Sequence, residues 1–233
     1  MEELIRTQAL LGEEAIQKLK NARVAVFGVG GVGGYCAEGL ARAGIGHIDL
    51  FDADSISVSN INRQLIALQS TAGRGKAEVM AERIRDILPR TEVRVHAVFY
   101  DESTAGDFPF SDYDYVADCI DTVKSKLLII RTAKEAGVPV ICALGTGNKL
   151  HPEMLEVTDI TKTEVCPLAK VMRKLCRDNG IHRVNVVYSR ETPAHVCVGE
   201  ENGRHPPASV SFVPPVAGML MAGKIIRDLC GIE

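Results

Sequence analysis

The sequence has no tryptophan, few aromatic residues and no long apolar run. No stretch approaches the roughly 20 apolar residues that a membrane-spanning helix needs, so we expect no membrane partner. The first residues, MEELIRTQALLGEE, are acidic where a secretion signal has a basic start and then an apolar stretch. These features predict a cytoplasmic protein.

Closely spaced cysteine pairs are also missing. The seven cysteines are an odd number, which cannot all pair, and no two of them have the spacing C-x-x-C. This usage favours a reducing compartment, and we expect most of the thiols to be small buried side chains. Because structural zinc sites are typically built on such pairs, the sequence predicts no zinc.

Neither sign of charge dominates the chain. There are 27 Lys and Arg residues against 30 Asp and Glu residues, which gives a net charge of −3, and 46% of the residues are hydrophobic. This composition is typical of a folded protein and excludes a disordered one. It neither implies nor excludes a nucleic-acid partner, because a local basic face is sufficient to bind one.

Strand-like and helix-like segments alternate from residue 23 onward. This repetition predicts the α/β class, with a Rossmann-like, mostly parallel sheet that carries helices on both faces. Strands are predicted at residues 23–27, 47–51, 92–98, 113–119, 138–144, 154–160, 184–189 and 209–213. Helices are predicted at residues 32–43, 76–88, 123–136, 167–179 and 216–229.

We interpret residues 1–233 as a single domain. Residues 1–22 form a predicted N-terminal helical arm, residues 23–150 a nucleotide-binding core, and residues 151–233 a substrate-side part that extends the sheet over the site. Residues 191–207 are rich in turn-forming residues and predict a mobile loop.

A glycine-rich loop, GVGGVG, joins the first predicted strand to the first predicted helix. Glycines allow a tight turn and the close approach of a phosphate, and the helix start offers free N–H groups. Two aspartates end the next strand, where a ribose-binding carboxylate belongs. This pattern alone also fits an NAD-dependent oxidoreductase. The nucleotide-binding candidates of this region are Gly28, Gly30, Gly31, Gly33, Asp52 and Asp54.

Two cations favour ATP over NAD. Arg63 lies in the segment SNINRQ, and Lys76 opens the helix that follows GRG. A triphosphate that breaks between its α and β phosphates builds charge on the leaving group, and such cations stabilise that charge. Taken singly, either residue is better explained as a solvated surface charge.

Two further aspartates, in the segment DCID, end the strand predicted at 113–119. An aspartate at the carboxyl end of a parallel strand suits a Mg²⁺ ion that bridges phosphate oxygens. The alternative role for an aspartate here is a helix N-cap. We assign Asp121 to the metal and Asp118 to a structural role.

Together, these motifs resemble the adenylating family that includes the ubiquitin-activating enzymes and the bacterial activators of the thiamin and molybdopterin sulfur carriers. The resemblance covers roughly residues 6–160 and rests on GVGGVG, DAD, SNINRQ, GRGKA and DCID. It implies ATP, Mg²⁺ and a homodimer. It also implies that a substrate carboxylate attacks the α-phosphate to give an acyl-adenylate and pyrophosphate.

The resemblance further implies a role for each matching residue. Asp52 binds the ribose, Asp121 binds the metal, and Arg6 reaches into the active site of the partner protomer. The residues that it places at the phosphates are Asn60, Arg63, Gln64 and Lys76. The residues that it makes catalytic are Arg6, Arg63, Lys76 and Asp121.

The rest of the chain resembles one branch of this family, the tRNA threonylcarbamoyladenosine dehydratases. The segments CPLAKVMR, VYSRE and SFVPPVAG carry this resemblance. It implies a tRNA substrate, whose threonyl carboxylate is adenylated and then cyclised. An activator of a small sulfur-carrier protein is the alternative, and an NAD-dependent oxidoreductase is the second alternative. The residues leave open whether a monovalent cation or a sulfur-transfer protein takes part.

A basic stretch lies between Lys162 and Arg183, where six basic residues stand against two acidic ones. Such a patch suits the phosphates of a tRNA backbone. A solvated helix face is an equally good explanation of the charge alone. The tRNA-binding candidates are Lys170, Arg173, Lys174 and Arg177.

Overall fold

A computed structural model of the chain describes residues 2–196, 199 and 207–232. Seven strands form one sheet in the order β3-β2-β1-β4-β5-β7-β6, and only β6 pairs antiparallel to its neighbour. The strands are β1 (Arg23–Phe27), β2 (His47–Phe51), β3 (Glu92–His96), β4 (Tyr115–Asp118), β5 (Val140–Ala143), β6 (Leu155–Asp159) and β7 (Asn185–Ser189).

Helices cover both faces of this sheet, as predicted. They are α1 (Ile5–Leu11), α2 (Glu13–Asn21), α3 (Gly33–Ala43), α4 (Lys76–Ile87), α5 (Val123–Glu135), α6 (Pro167–Asp178) and α7 (Val213–Cys230). Alternate side chains of β1 enter two cores, because successive side chains of a strand point to opposite faces. Val24 and Val26 pack in the core that includes α3, α4 and α7, whereas Ala25 and Phe27 pack in the core that includes α5 and α6.

The strand predicted at 209–213 is wrong. Residues 209–212 have no regular structure, and α7 begins at Val213. Pro214 and Pro215 explain the difference, because proline lacks an N–H group and fits the first turn of a helix, where that group has no helical partner. Much of the loop predicted at 191–207 lies outside the described residues, and residues 191–196 are irregular.

Two helices, α1 and α2, precede the first strand and lie in the segment for which an N-terminal helical arm is predicted. Leu4 is buried, and its side chain fills the space beside Gly44, where a Cβ atom would lie 2.6 Å from Leu4 Cδ1. Ile16 and Leu19 of α2 are also buried. The arm is therefore packed against its own chain.

The C-terminal helix α7 packs closely against α3. A Cβ atom on Gly218 would lie 2.3 Å from the carbonyl oxygen of Val32, and one on Gly39 would lie 2.7 Å from Ala222 Cβ. Two glycines thus allow the backbones of the two helices to approach each other. Within the described ranges, no helix is both long and apolar enough to cross a membrane.

A fully buried ion pair joins β4 to α5. Lys126 Nζ lies 2.9 Å from Asp118 Oδ2 and donates a hydrogen bond to the carbonyl oxygen of Ile120 at 3.0 Å. Burial opposes the charge on Lys126, but the adjacent Asp118 carboxylate raises the pKa of this amine. The pair fixes the segment that leaves β4, which agrees with a structural role for Asp118.

We expect Lys126→Met to lower the free energy of unfolding by about 3–5 kcal/mol, because it leaves a buried carboxylate without its partner. Lys124→Met is the matched control, since Lys124 is exposed on the same helix, and it should change stability by less than about 0.5 kcal/mol. Urea denaturation measures both values, and the Asp118→Asn/Lys126→Met double variant should recover most of the loss. Equal losses for the two methionine variants would contradict the expectation.

Candidate functional site

A cleft of about 720 Å³ opens at the carboxyl ends of the central strands. It lies around β1, which is hydrogen-bonded to β2 on one side and to β4 on the other. The order of the strands reverses at this point, and sheets of this kind bind their ligands there. The position of the cleft therefore agrees with a nucleotide site.

The glycine loop forms the floor of the cleft. Gly28 has a φ of +84°, and its N–H donates to the carbonyl oxygen of Phe51 at 2.7 Å. A Cβ atom on Gly33 would lie 1.7 Å from the carbonyl oxygen of Gly28. Only glycine fits at position 33, because any side chain there would clash with the loop. The start of α3 can therefore lie directly against the loop.

Asp52 connects the loop to the end of β2. Its carboxylate accepts hydrogen bonds from the backbone N–H of Val29 at 2.7 Å and of Asp54 at 2.9 Å. Burial raises the pKa of Asp52, and the charge of Lys76 opposes this shift. The carboxylate thus stands at the cleft wall in a fixed orientation.

Lys76 begins α4, and its side chain lines the cleft beside Asp54. Its side chain is only 9% exposed, and its Nζ lies 2.7 Å from Asp54 Oδ2. Asp54 itself is 64% exposed, so the partner of this amine faces solvent. An ammonium group held by one exposed carboxylate is available to a phosphate that enters the cleft.

Residues 58–64 form a compact turn beside the loop. The carbonyl oxygen of Ser59 accepts from Arg63 Nη1 at 3.1 Å, and Asn62 Oδ1 accepts from the same atom at 2.9 Å. Asn60 Oδ1 accepts from the backbone N–H of Ser57 at 3.0 Å, which closes the start of the turn. Gln64 is buried, and its Oε1 has no hydrogen-bond partner among the described residues.

The two aspartates after β4 occupy different environments. Asp118 is fully buried with Lys126, as described above, whereas Asp121 is exposed and lines the cleft. The hydroxyl of Thr122 donates to Asp121 Oδ1 at 3.3 Å. Asp121 is thus the aspartate of this segment that a ligand in the cleft can reach.

The cleft brings together most of the predicted nucleotide-binding residues. Ten of them line it: Gly28, Gly30, Gly31, Asp52, Asp54, Asn60, Arg63, Gln64, Lys76 and Asp121. Gly33 lies beneath the loop, and Arg6 lies outside the lining on the exposed surface of α1.

The basic candidates of α6 also lie outside the lining. Lys170, Lys174 and Arg177 are exposed. Arg173 is partly buried, and its Nη1 donates to Thr163 Oγ1 at 2.6 Å and to the carbonyl oxygen of Thr163. Arg173 therefore holds the start of the α6 region in place. Arg177 Nε lies 3.6 Å from Asp178 Oδ1, whereas Lys170 and Lys174 have no ion-pair partner among the described residues.

Three further parts of the lining lie away from the predicted motifs. They are residues 98–100 after β3, residues 146–147 after β5, and Pro207, Ser209 and Pro214 near the start of α7. The first two groups follow parallel strands, so the rule that carboxyl ends of strands meet at one edge predicts their position. The third group gives no local signal, because only the tertiary fold brings it to the cleft.

Comparison with known proteins identifies close relatives. A tRNA threonylcarbamoyladenosine dehydratase of Bacillus subtilis (strain 168) is 40% identical to this chain, across 96% of the chain and 93% of the relative. The crystal structure of E. coli tRNA N6-threonylcarbamoyladenosine dehydratase in complex with AMP matches with a TM-score of 0.88 and 34% identity, and covers 97% of this chain and 93% of that chain. The same enzyme in complex with ATP matches with a TM-score of 0.90 and 34% identity, and covers 99% and 94%.

The family comparison agrees with these relatives and confirms the family resemblance that the motifs indicate. The ThiF family matches residues 2–233, which include the glycine loop, the lysine and arginine of the cleft, and α7. Because the match extends over nearly the whole chain, this protein belongs to the ThiF family.

Proposed function

We propose that this protein is an ATP-dependent tRNA threonylcarbamoyladenosine dehydratase. The observation that carries the proposal is one cleft in which a glycine loop, Arg63, Lys76 and Asp121 meet. The relatives that are 34–40% identical over nearly the whole chain support it, since their names state this activity. A tRNA substrate and the scattered cysteines support a cytoplasmic location.

The first step is the activation of a carboxylate. The threonyl carboxylate of the modified adenosine attacks the α-phosphate of ATP, and the bond to the β-phosphate breaks to release pyrophosphate. Negative charge grows on the leaving group in this step, and cations placed beforehand stabilise it. Lys76 and Arg63 are suited to this role, because both side chains are held by hydrogen bonds at the cleft wall.

The second step closes a ring. A nitrogen of the same threonylcarbamoyl group attacks the activated carbonyl carbon, the bond to the AMP oxygen breaks, and the nitrogen loses its proton. The nucleoside thus loses the elements of water, whose oxygen leaves with AMP. Because both reacting groups belong to one molecule, the reaction gains the rate advantage of an intramolecular process. No covalent bond to a cysteine is needed.

Asp121 fits the Mg²⁺ that the family resemblance implies. Protein sites for this ion commonly supply one or two carboxylates, and the phosphates of the substrate supply further oxygens. Asp121 presents one exposed carboxylate to the cleft, and the buried Gln64 Oε1 adds an oxygen without a partner in the described part of the chain. When bound, the ion would neutralise charge on the phosphates.

The alternatives have less support. An NAD-dependent enzyme has no need of two cations at its pyrophosphate, and the crystal structures of relatives hold AMP and ATP. Activation of a sulfur-carrier protein shares the adenylation chemistry, so substrate identity separates it from the proposed function.

We expect the purified protein, given ATP and tRNA with threonylcarbamoyladenosine, to release AMP and to convert the nucleoside into a product lighter by one water. Mass analysis of nucleosides measures this conversion. Lys76→Ala should slow both by about 10²–10³-fold, as expected when one charge-stabilising group is lost. Arg74→Ala is the matched control, because Arg74 is paired with Glu82 outside the cleft lining.

Two outcomes would contradict this proposal. Unchanged nucleoside together with AMP formation on a carrier protein would favour the sulfur-carrier alternative. Tight binding of NAD with no binding of ATP, measured by calorimetry, would favour the oxidoreductase.

A homodimer with shared sites is the second part of the proposal. Arg6 is exposed, and no ion pair involves it within the described ranges. Apolar side chains accompany it on α1, where Ile5 is 65% exposed and Leu10 is 84% exposed. An apolar helix surface with one arginine fits a two-fold contact that delivers the arginine to the neighbouring cleft.

Mixing Arg6→Ala protein with Lys76→Ala protein should restore AMP formation after subunits exchange. Each mixed dimer then has one cleft with an intact Lys76 and an Arg6 from its partner. Lys20→Ala, an exposed change on α2, should be active without mixing. Failure to regain activity, despite subunit exchange confirmed by mass spectrometry, would exclude action of Arg6 across the dimer.

The third part of the proposal places tRNA along α6 and the substrate-side residues 151–233. The exposed Lys170, Lys174 and Arg177 form a basic face, whereas Met172 and Cys176 are buried on the opposite side. The same part of the chain supplies residues of the cleft lining. A bound tRNA could thus place its modified base at the cleft while phosphates contact the helix.

The Lys174→Glu/Arg177→Glu variant should weaken tRNA binding and flatten its salt dependence by roughly one phosphate contact for each lost charge. Filter binding at several salt concentrations measures both, and calorimetry should find ATP affinity unchanged. Lys20→Glu/Arg94→Glu is the control, because it reverses two exposed charges elsewhere. Equal salt slopes for the two double variants would mean that α6 is only a solvated face.

A further inference from the structure

Asn62 connects the arginine of the cleft to a segment far away in the sequence. Its Oδ1 accepts from Arg63 Nη1 at 2.9 Å, and its Nδ2 donates to the carbonyl oxygen of Ser209 at 3.0 Å. The second bond spans 147 residues. One amide therefore touches both the turn that holds Arg63 and the segment before α7.

Asn148 holds the same segment from its other side. Its backbone N–H donates to the carbonyl oxygen of Ala208 at 2.8 Å, and its Oδ1 accepts from the N–H of Ala208 at 2.7 Å. Its Nδ2 donates to the carbonyl oxygen of Val196 at 2.9 Å, and its own carbonyl oxygen accepts from Ala194 at 2.9 Å. Asn148 thus connects Ala194 and Val196, which follow β7, to Ala208, which precedes α7.

The backbone at Asn148 is adapted to this role. Its φ of +56° lies in the left-handed region, which asparagine tolerates better than most residues. The adjoining residues are tied down as well, because the carboxylate of Glu191 accepts from the N–H of Leu150 at 2.9 Å and of His151 at 3.0 Å. Hydrogen bonds therefore fix the segment 148–151 at several points.

The segment that the two asparagines hold, residues 207–209, contributes to the cleft lining, although the asparagines themselves do not. Pro207 and Ser209 line the cleft, and Gly147 lies so close to Pro207 that a Cβ atom there would be 2.7 Å from Pro207 Cβ. Neither Asn62 nor Asn148 is part of the lining. Any effect of the asparagines on the reaction must pass through the residues that they hold.

We propose that Asn62 and Asn148 are positioning residues that set the substrate-side wall, residues 207–209, relative to Arg63. The inference rests on the proposed function, because it takes Arg63 to act on the triphosphate. Asn62 and Ser59 both restrict the guanidinium, and restriction before the reaction is what preorganises a charge-stabilising group. Asn62 therefore fixes the position of Arg63 relative to residues 207–209, which a bound substrate would contact.

Asn62→Asp separates the two contacts of Asn62. A carboxylate still accepts from Arg63, but it cannot donate to Ser209 and instead opposes the carbonyl oxygen of that residue. We expect kcat for AMP formation to fall about tenfold, the scale of one lost hydrogen bond, and KM for tRNA to rise, while ATP affinity stays within about threefold. Asn148→Gly should act in the same direction, because glycine keeps the positive φ but removes both side-chain bonds.

Asn21→Asp is the matched control, since it makes the same chemical change at an exposed position at the end of α2. It should leave kcat and KM at the values of the unaltered protein. Urea denaturation of each variant checks that the fold is retained, and unfolding of Asn62→Asp under assay conditions would overturn the inference in favour of a purely structural role.

A double-mutant cycle with Arg63→Ala tests the route of the effect. If Asn62 acts through Arg63, the Asn62→Asp/Arg63→Ala variant should be no slower than Arg63→Ala alone. If the losses in kcat of the two single variants multiply in the double variant, Asn62 does not act through Arg63 and the inference is refuted. Normal kcat and KM of Asn62→Asp and Asn148→Gly, together with a slow Arg63→Ala, would also refute it. Normal activity of Arg63→Ala would refute the proposed role of Arg63, and the inference with it.

Discussion

The nucleotide cleft depends on the approach of α3 to the end of β1. Because Gly33 has no side chain, the first turn of the helix lies against the carbonyl group of Gly28, and the intervening loop can fold into the floor of the cleft. Asp52 then ties this loop to the next strand through the N–H of Val29. A larger residue at position 33 would move the helix start away from the loop, and the free N–H groups would no longer point at one place.

Two lysine–aspartate pairs have similar separations, 2.9 Å and 2.7 Å, but lie in different surroundings. The pair of Lys126 and Asp118 is fully buried, and its charges hold the exit of β4 in place. The pair of Lys76 and Asp54 has one buried and one exposed member, so its lysine can exchange partners at the cleft surface. Burial of the aspartate, rather than the distance between the charges, distinguishes the pair enclosed in the fold from the pair that solvent reaches.

The predicted features hold best where the signal is local. The glycine loop, the strand-end acids and the cations all lie within short motifs, and the parallel sheet brings these motifs to one edge. The segment at 209–213 was mispredicted as a strand because its alternating apolar residues resemble one, although the prolines that follow begin a helix. Asn62 lies within the motif SNINRQ, but nothing local indicates what Asn62 or Asn148 contacts, since their partners lie up to 147 residues away.

The close packing of α7 on α3 has a consequence for how the site is assembled. Gly218 lies against the carbonyl group of Val32, directly before the helix that completes the glycine loop. During synthesis the loop emerges from the ribosome about 180 residues before this support, and chains are made at roughly 5–20 residues per second. For roughly ten seconds or more, a nascent chain therefore carries the whole phosphate-binding motif without the helix that braces it. The packing around the glycine loop is therefore complete only after α7 has been made.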